Sequence, residues 1–163
     1  KENTVEDFLK IEVDEISITS LKIDGSVTAV LEQRIIEIKQ CINNGASLSV
    51  IFLCGSVLEG ILLGVATNNI KEFNQSTASP KDKSTGKVKQ FQDWTLSSFI
   101  DVAHDLKFLG LDVKKYGHTL RDFRNYIHPY EQMSSGFKPD KHTAKISWQV
   151  LKAAIHDIYE KTK

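Results

Sequence analysis

From Ala46 to about Asn68 the chain is apolar nearly all round, with Val50, Ile51, Phe52, Leu53, Val57, Leu58, Ile61, Leu62 and Val65 leaving no polar face. A helix of that kind cannot lie on a surface; it has to be packed on several neighbours. Its longest apolar run, Val50 to Ala66, contains Glu59 and three glycines and falls short of the ~20 residues that span a bilayer, so a buried central helix is expected. The rest of the chain must then supply a bundle around it.

The remaining periodicities do so. Val27, Val30, Leu31, Ile35, Ile38 and Ile42 form a helical stripe that stops at Asn43-Asn44-Gly45, a glycine-assisted helix end. Leu96, Phe99, Ile100, Ala103 and Leu106 mark a helix over about Trp94 to Leu109, ended by Gly110. Asp112 can cap the next helix, which is expected to run to His128 and stop there because Pro129 follows. Pro139-Asp140 opens a last helix carrying Ile146, Val150, Leu151, Ala154, Ile155 and Ile158.

Residues 75 to 90 are poor in apolar groups and read as a mobile loop. Leu9, Ile11 and Val13, Ile16 with Ile18, and Leu21 with Ile23 alternate with a period of two, which suggests short strands in an arm or linker over residues 1–25. With 163 residues, 40% of them apolar, the chain supports one core rather than two. The expected architecture is an all-α bundle of four to five helices over 26–163, preceded by a short extended N-terminal segment.

Lysine plus arginine equals aspartate plus glutamate at 21 each, so no global field draws in nucleic acid or an anionic membrane. Any RNA contact must be local. Cys41 and Cys54 both lie in apolar helical stretches and read as core hydrophobes of a reduced, cytoplasmic protein. The first residues are charged and hold no signal-peptide core, and no membrane association is expected. The chain begins at Lys1 and its one methionine is Met133, which reads as a piece of a longer protein with partner domains outside it.

The stretch most informative about chemistry is Leu120-Arg121-Asp122-Phe123-Arg124-Asn125-Tyr126-Ile127-His128-Pro129-Tyr130. On a continuous α-helix at roughly 100° per residue, Arg121, Arg124, Asn125 and His128 share about a third of the circumference, opposite Leu120, Phe123 and Ile127. Two guanidinium groups flanking an imidazole disfavour its protonation unless an anion sits among them, as a phosphate would. Arginine matches phosphate oxygens with paired donors, and histidine moves protons near neutral pH. A neutral imidazole could take the proton of a ribose 2′-hydroxyl while the arginines stabilise the charge building on phosphorus, with no metal required.

Arginine and histidine near a helix end also favour it against the helix dipole, which is the plainer reading of the same residues. Glu59 adds to the case, because a carboxylate in the apolar helix is costly to bury without a cation, and Arg121 and Arg124 are the expected partners. No Gly-x-Ser-x-Gly turn surrounds Ser56, so a serine nucleophile is not indicated. His104, His118, His142 and His156 are scattered without metal-ligand spacing or a carboxylate partner pattern, although His118 lies three residues before Arg121. No cofactor is implied.

These residues resemble the motif of the HEPN superfamily, helical bundles in which an arginine, four to six residues and a histidine mark a metal-independent ribonuclease site. Arg121-Asp122 followed by six residues to His128 fits that form. Arg124-Asn125 looks like the familiar Arg-Asn start, but three residues separate Arg124 from His128. His128-Pro129-Tyr130 is similar to a His-x-Tyr ending in which the tyrosine can be modified by adenylylation. Helix order over about residues 27 to 160, a long loop after the second helix and an acidic residue at Glu59 extend the resemblance.

The resemblance implies a homodimer forming one RNA cleft, a product with a 2′,3′-cyclic phosphate, and a toxin–antitoxin or antiviral defence setting, with an N-terminal sensor or effector domain on the same chain. It names His128, Arg121, Arg124 and Asn125 as candidate catalytic residues, with Glu59 and Tyr130 in support. Two alternatives stand beside it. One is a non-catalytic HEPN-like module that binds RNA, a nucleotide or a protein partner; the other is an interaction domain in which the Arg/His group and Glu59 form a buried network fixing helix register.

Overall fold

The apolar stretch forms one helix, α3 (Ser47–Asn68), in a computed structural model that describes residues 2–163, Lys1 lying outside them. Around it stand α1 (Val5–Lys10), α2 (Gly25–Asn43), α4 (Ile70–Gln75), α5 (Leu96–Asp105), α6 (Leu111–Phe123), α7 (Pro129–Ser135) and α8 (Lys141–Thr162). The described residues form an all-α bundle whose long members, α2, α5, α6 and α8, all bear on α3 or on one another. At 22 residues α3 is long and apolar enough to cross a membrane by length and composition, more than the run Val50 to Ala66 suggests. Here its Val50, Ile51, Cys54, Val57, Leu58, Ile61 and Leu62 are fully buried among the other helices.

Local chemistry sets where the helices begin. The Asp24 carboxylate accepts the Ser26 hydroxyl and the N–H groups of Ser26 and Val27 at the start of α2, and these bonds, the hydroxyl's first, hold its carboxyl below the usual carboxylate range. Asp140 opens α8 through a capping box with Thr143. Gly45, at φ +72°, lets the chain reverse from α2 into α3. Gly60 then allows α2 to come close, since a Cβ there would lie 2.7 Å from Leu31 Cδ2.

The N-terminal residues depart from expectation. There is no strand among the described residues. Thr4 and Asp7 form a capping box that starts α1, and Ile18–Leu21 is a 3-10 turn joined to α1 by extended chain. A single alternating segment with no partner strand cannot satisfy a ladder, and its apolar groups pack on helices instead. Phe8, Ile18, Leu21 and Ile23 are buried. Phe8 stacks on Tyr116 of α6 at 4.8 Å, and Gln149 of α8 donates to the carbonyls of Phe8 and Ile11 at 3.1 and 2.8 Å. The segment expected as an arm or linker is a strap bound into the core.

The loop over 75–90 is likewise tied down rather than loose. Lys81 and Val88 form an antiparallel bridge, Asp82 Oδ1 accepts the N–H groups of Ser84 and Thr85, and Trp94 Nε1 donates to Lys89 O at 2.8 Å. Phe73, fully buried, anchors its start among Phe91, Trp94 and Phe108. The helix after it is shorter than its apolar period: α5 stops at Asp105, Lys107 takes φ +68°, and Gly110 opens α6 rather than ending α5. Asp112, expected as the cap, lies in the first turn of α6 and accepts from Asn3 Nδ2 at 2.7 Å.

Candidate functional site

The helix carrying the Arg/His stretch does not continue to His128. α6 ends at Phe123, and Arg124–Ile127 tightens into a 3-10 turn, in which residues advance by about 120° rather than 100°. His128 is extended, with φ −87° and ψ 115°, the conformation that Pro129 requires of the residue before it. Pro129 then starts α7, a short helix with no buried residue that sequence periodicity did not indicate. Phe137 holds the turn in place by stacking on Tyr126 at 4.3 Å and on Phe123 at 5.1 Å.

The change of helix type redistributes the expected cluster. Arg121, Arg124 and Asn125 line one wall of a cleft of about 580 Å³. Ile127, expected on the apolar side, lines the same cleft and is 62% exposed. The facing wall is α3, through Phe52, Ser56 and Glu59, and the start of α5 closes one end with Thr95 and Leu96. His128 is not among the lining residues and does not share a helical face with the arginines. The residue is exposed and follows the lining residue Ile127 in sequence, while its backbone N–H bonds to Asn125 O and its carbonyl accepts from Gln132 N. Tyr130, at 79% exposure, lies on α7 outside the lining.

Of the two candidate partners for Glu59, Arg124 makes the contact: its Nη1 donates to Glu59 Oε2 at 2.6 Å. The pair is half-exposed, 38% and 44% at the side chains, so neither a buried Glu59 nor a buried register-fixing network is found. The reason lies one turn earlier on α3, where Gly55 and Ser56 leave room for the cleft. The stem of Arg124 crosses Gly55 so closely that a Cβ there would lie 2.8 Å from Arg124 Cδ. Arg121 bonds the neighbouring Asp122 instead, with Nε donating to Oδ1 at 3.0 Å.

A residue that sequence reasoning missed joins the site from α2. Arg34 donates through Nη1 to the hydroxyl of Ser56, one of the lining residues. The signal was present in residue usage: of the 21 lysines and arginines only three are arginine; Arg121 and Arg124 line the cleft, and Arg34 reaches its edge through Ser56. Counting Arg34 with Arg121 and Arg124 against the carboxylates of Glu59 and Asp122 leaves a local surplus of one positive charge in a chain whose net charge is zero. The arrangement suits an anion with several oxygens, such as a phosphodiester.

The histidines elsewhere are better partnered than their spacing suggested. His118 Nε2 lies 2.8 Å from Asp101 Oδ1, and His156 lies 3.8 Å from Asp157 and 4.0 Å from Glu160. No group of three or more His, Cys, Asp or Glu side chains among the described residues could hold a metal ion. Neither cysteine approaches the cleft lining, and burial pushes the Cys54 thiol far above its ordinary range. No protein-family model, curated protein or solved structure was found to match this chain.

The close passage of Arg124 over Gly55 gives a first test. Gly55→Ala adds helix propensity worth up to about 1 kcal/mol, while its methyl group displaces the Arg124 stem from Glu59. Thermal melting is expected to show an unchanged or slightly raised Tm, and titration with a short oligonucleotide a weakened affinity. A clear fall in Tm would mean that the Arg124 stem cannot yield.

Proposed function

We propose that this chain is a metal-independent endoribonuclease of the HEPN type, acting as a homodimer on cytoplasmic RNA in a toxin–antitoxin or antiviral defence setting. The observation that carries the reading is that Arg121, Arg124 and Asn125 line one cleft, with Arg34 bonded to Ser56 of its wall and the exposed His128 following Ile127 of its lining in sequence. In this reading His128, as the neutral imidazole, takes the proton from a ribose 2′-hydroxyl. The 2′-oxygen attacks phosphorus, the bond to the 5′-oxygen breaks, and that oxygen leaves as a hydroxyl on taking up a proton. Arg121 and Arg124 stabilise the charge on the phosphorane oxygens, and Asn125 orients the strand. The product strand ends in a 2′,3′-cyclic phosphate.

A second copy of the chain fits the exposed apolar groups next to the cleft. Gly60 lies over Leu31 and Ser56 bonds Arg34, so the antiparallel register of α2 and α3 brings Leu63 beside Val27. Val27, Val30 and Leu63 are 40%, 52% and 40% exposed, and Ile127 borders the cleft from its other side. In this reading a second copy of the chain would cover these groups.

The placement of His128 outside the lining, together with the Arg124–Glu59 pair, favours a second reading: a non-catalytic module that holds RNA, a nucleotide or a protein partner in the same cleft. Incubation of the purified protein with end-labelled single-stranded RNA and tRNA in EDTA separates the two. Cleavage leaving cyclic-phosphate ends, by a species that light scattering shows to be a dimer, is the expected result. Arginine-dependent binding of RNA without cleavage would establish the module instead.

A further inference from the structure

The three arginines around the cleft are not equivalent. Arg124 is paired with Glu59 and Arg121 with Asp122. Arg34 is exposed and bonded to the neutral hydroxyl of Ser56, and among the described residues no carboxylate lies within ion-pair distance of it. The surplus positive charge of the site is therefore concentrated at Arg34. Its place is fixed from two sides, by its own position on α2 and by Ser56 on α3.

The spacing of these anchors matters. Ser56 and Glu59 are three residues apart on α3, so they share a face and are separated by about 4.5 Å along the axis. The guanidinium groups of Arg34 and Arg124 thus reach successive points of one helix from its two neighbours, α2 and the turn after α6. A single phosphate would need both groups to converge on it, whereas two anionic groups in series can each meet one. Adjacent phosphates of a nucleic-acid strand are such a pair.

We infer that Arg34 is the contact for a second phosphate: the cleft takes a strand segment with two successive phosphodiesters, one against Arg121 and Arg124 and its neighbour against Arg34. The inference rests on the reading of the cleft as an RNA site and specifies the smallest ligand that fills it. Ser56 then acts as a strut that holds Arg34 over the cleft, and Arg34 sets the length requirement of the substrate.

The test compares fluorescein-labelled 2′-O-methyl oligonucleotides, which resist cleavage: a dinucleoside monophosphate and a trinucleoside diphosphate, titrated by anisotropy at several salt concentrations. The wild-type protein is expected to bind the longer ligand about tenfold more tightly, the value of one contact to a charged group. Arg34→Gln should bind the two alike, and its slope of log affinity against log salt for the longer ligand should fall by about 0.7, one single-strand phosphate contact. Arg34→Lys should keep the wild-type slope, and melting curves of both variants check that the bundle is intact.

If Arg34→Gln alters neither the length preference nor the slope while Arg124→Gln weakens both ligands, the second-phosphate contact is overturned and the RNA reading survives. If binding is indifferent to all three arginines, the RNA reading fails and this inference fails with it.

Discussion

His128→Ala is expected to lower RNA cleavage by about 10²–10⁴-fold, the range for loss of a general acid or base, while leaving the melting temperature where it was. The second half follows from the first residue-level fact about His128: its ring is exposed and only its backbone is bonded within the bundle. Alanine keeps both backbone bonds and adopts the same extended conformation ahead of Pro129. An exposed substitution of this kind normally changes stability by no more than about 0.5 kcal/mol. The measurement is the rate of appearance of cyclic-phosphate ends, taken beside a thermal melt of the same preparation. Equal cleavage by both proteins would remove His128 from the chemistry and point to a contaminating nuclease.

That separation of activity from stability is possible because the site is built on the surface of the bundle rather than within its core. The arginines come from α2, from the end of α6 and from the turn after it, while the opposing wall is the central helix. α3 is packed on several sides, and its small and polar residues, Gly55, Ser56 and Glu59, stand out as the strip that meets the arginines. A helix fixed on several sides is a rigid platform, and rigid platforms hold charged side chains in place at low cost to the fold.

Much of this architecture was legible from local rules. The all-apolar stretch had to be central, the Gly45 turn had to follow α2, and Asp140 had to open α8. The Glu59–arginine contact was expected from the cost of burying a carboxylate; the contact is present, but Glu59 is half-exposed, so that cost is not what fixes it. What was not legible came from interactions between distant residues. The 3-10 tightening of Arg124–Ile127 is held by Phe137, more than ten residues further on, and no local pattern announces it. A shift of about 20° per residue over four residues was enough to move Ile127 into the cleft and His128 out of line with the arginines.

The N-terminal alternation misled for a related reason. A period of two describes any extended chain with one face packed, whether the packing partner is a strand or a helix. Gln149 and Tyr116, more than a hundred residues away, decide which. Arg34 escaped notice because it belongs to a different helix from the motif. Arginine's scarcity in the chain, read together with the antiparallel register of α2 and α3, was the available signal. Residues 75–90 are the loop that their turn formers indicate, but turn formers mark a change of direction and say nothing about how firmly the turn is tied.

Arg124→Gln is expected to reduce cleavage by about 10²–10³-fold, comparable to removing one donor that stabilises a developing oxyanion. Its effect on stability should stay within about 1 kcal/mol, because the Arg124–Glu59 pair is half-exposed and such pairs contribute little to folding. Glu59→Gln provides the comparison. The amide still accepts a hydrogen bond from Arg124, so positioning is largely kept, but a negative charge is lost from beside the bound phosphate. Oligonucleotide affinity should therefore rise in Glu59→Gln while turnover falls, since Arg124 is held less firmly.

Opposite signs for binding and turnover are the signature of a carboxylate that orients a phosphate-binding arginine. If the pair served only to fasten the turn after α6 to α3, both variants would lower the melting temperature together, and their double mutant would be no less stable than either alone. A Tm that holds in both, with cleavage lost chiefly in Arg124→Gln, would place Arg124 at the phosphate and Glu59 behind it.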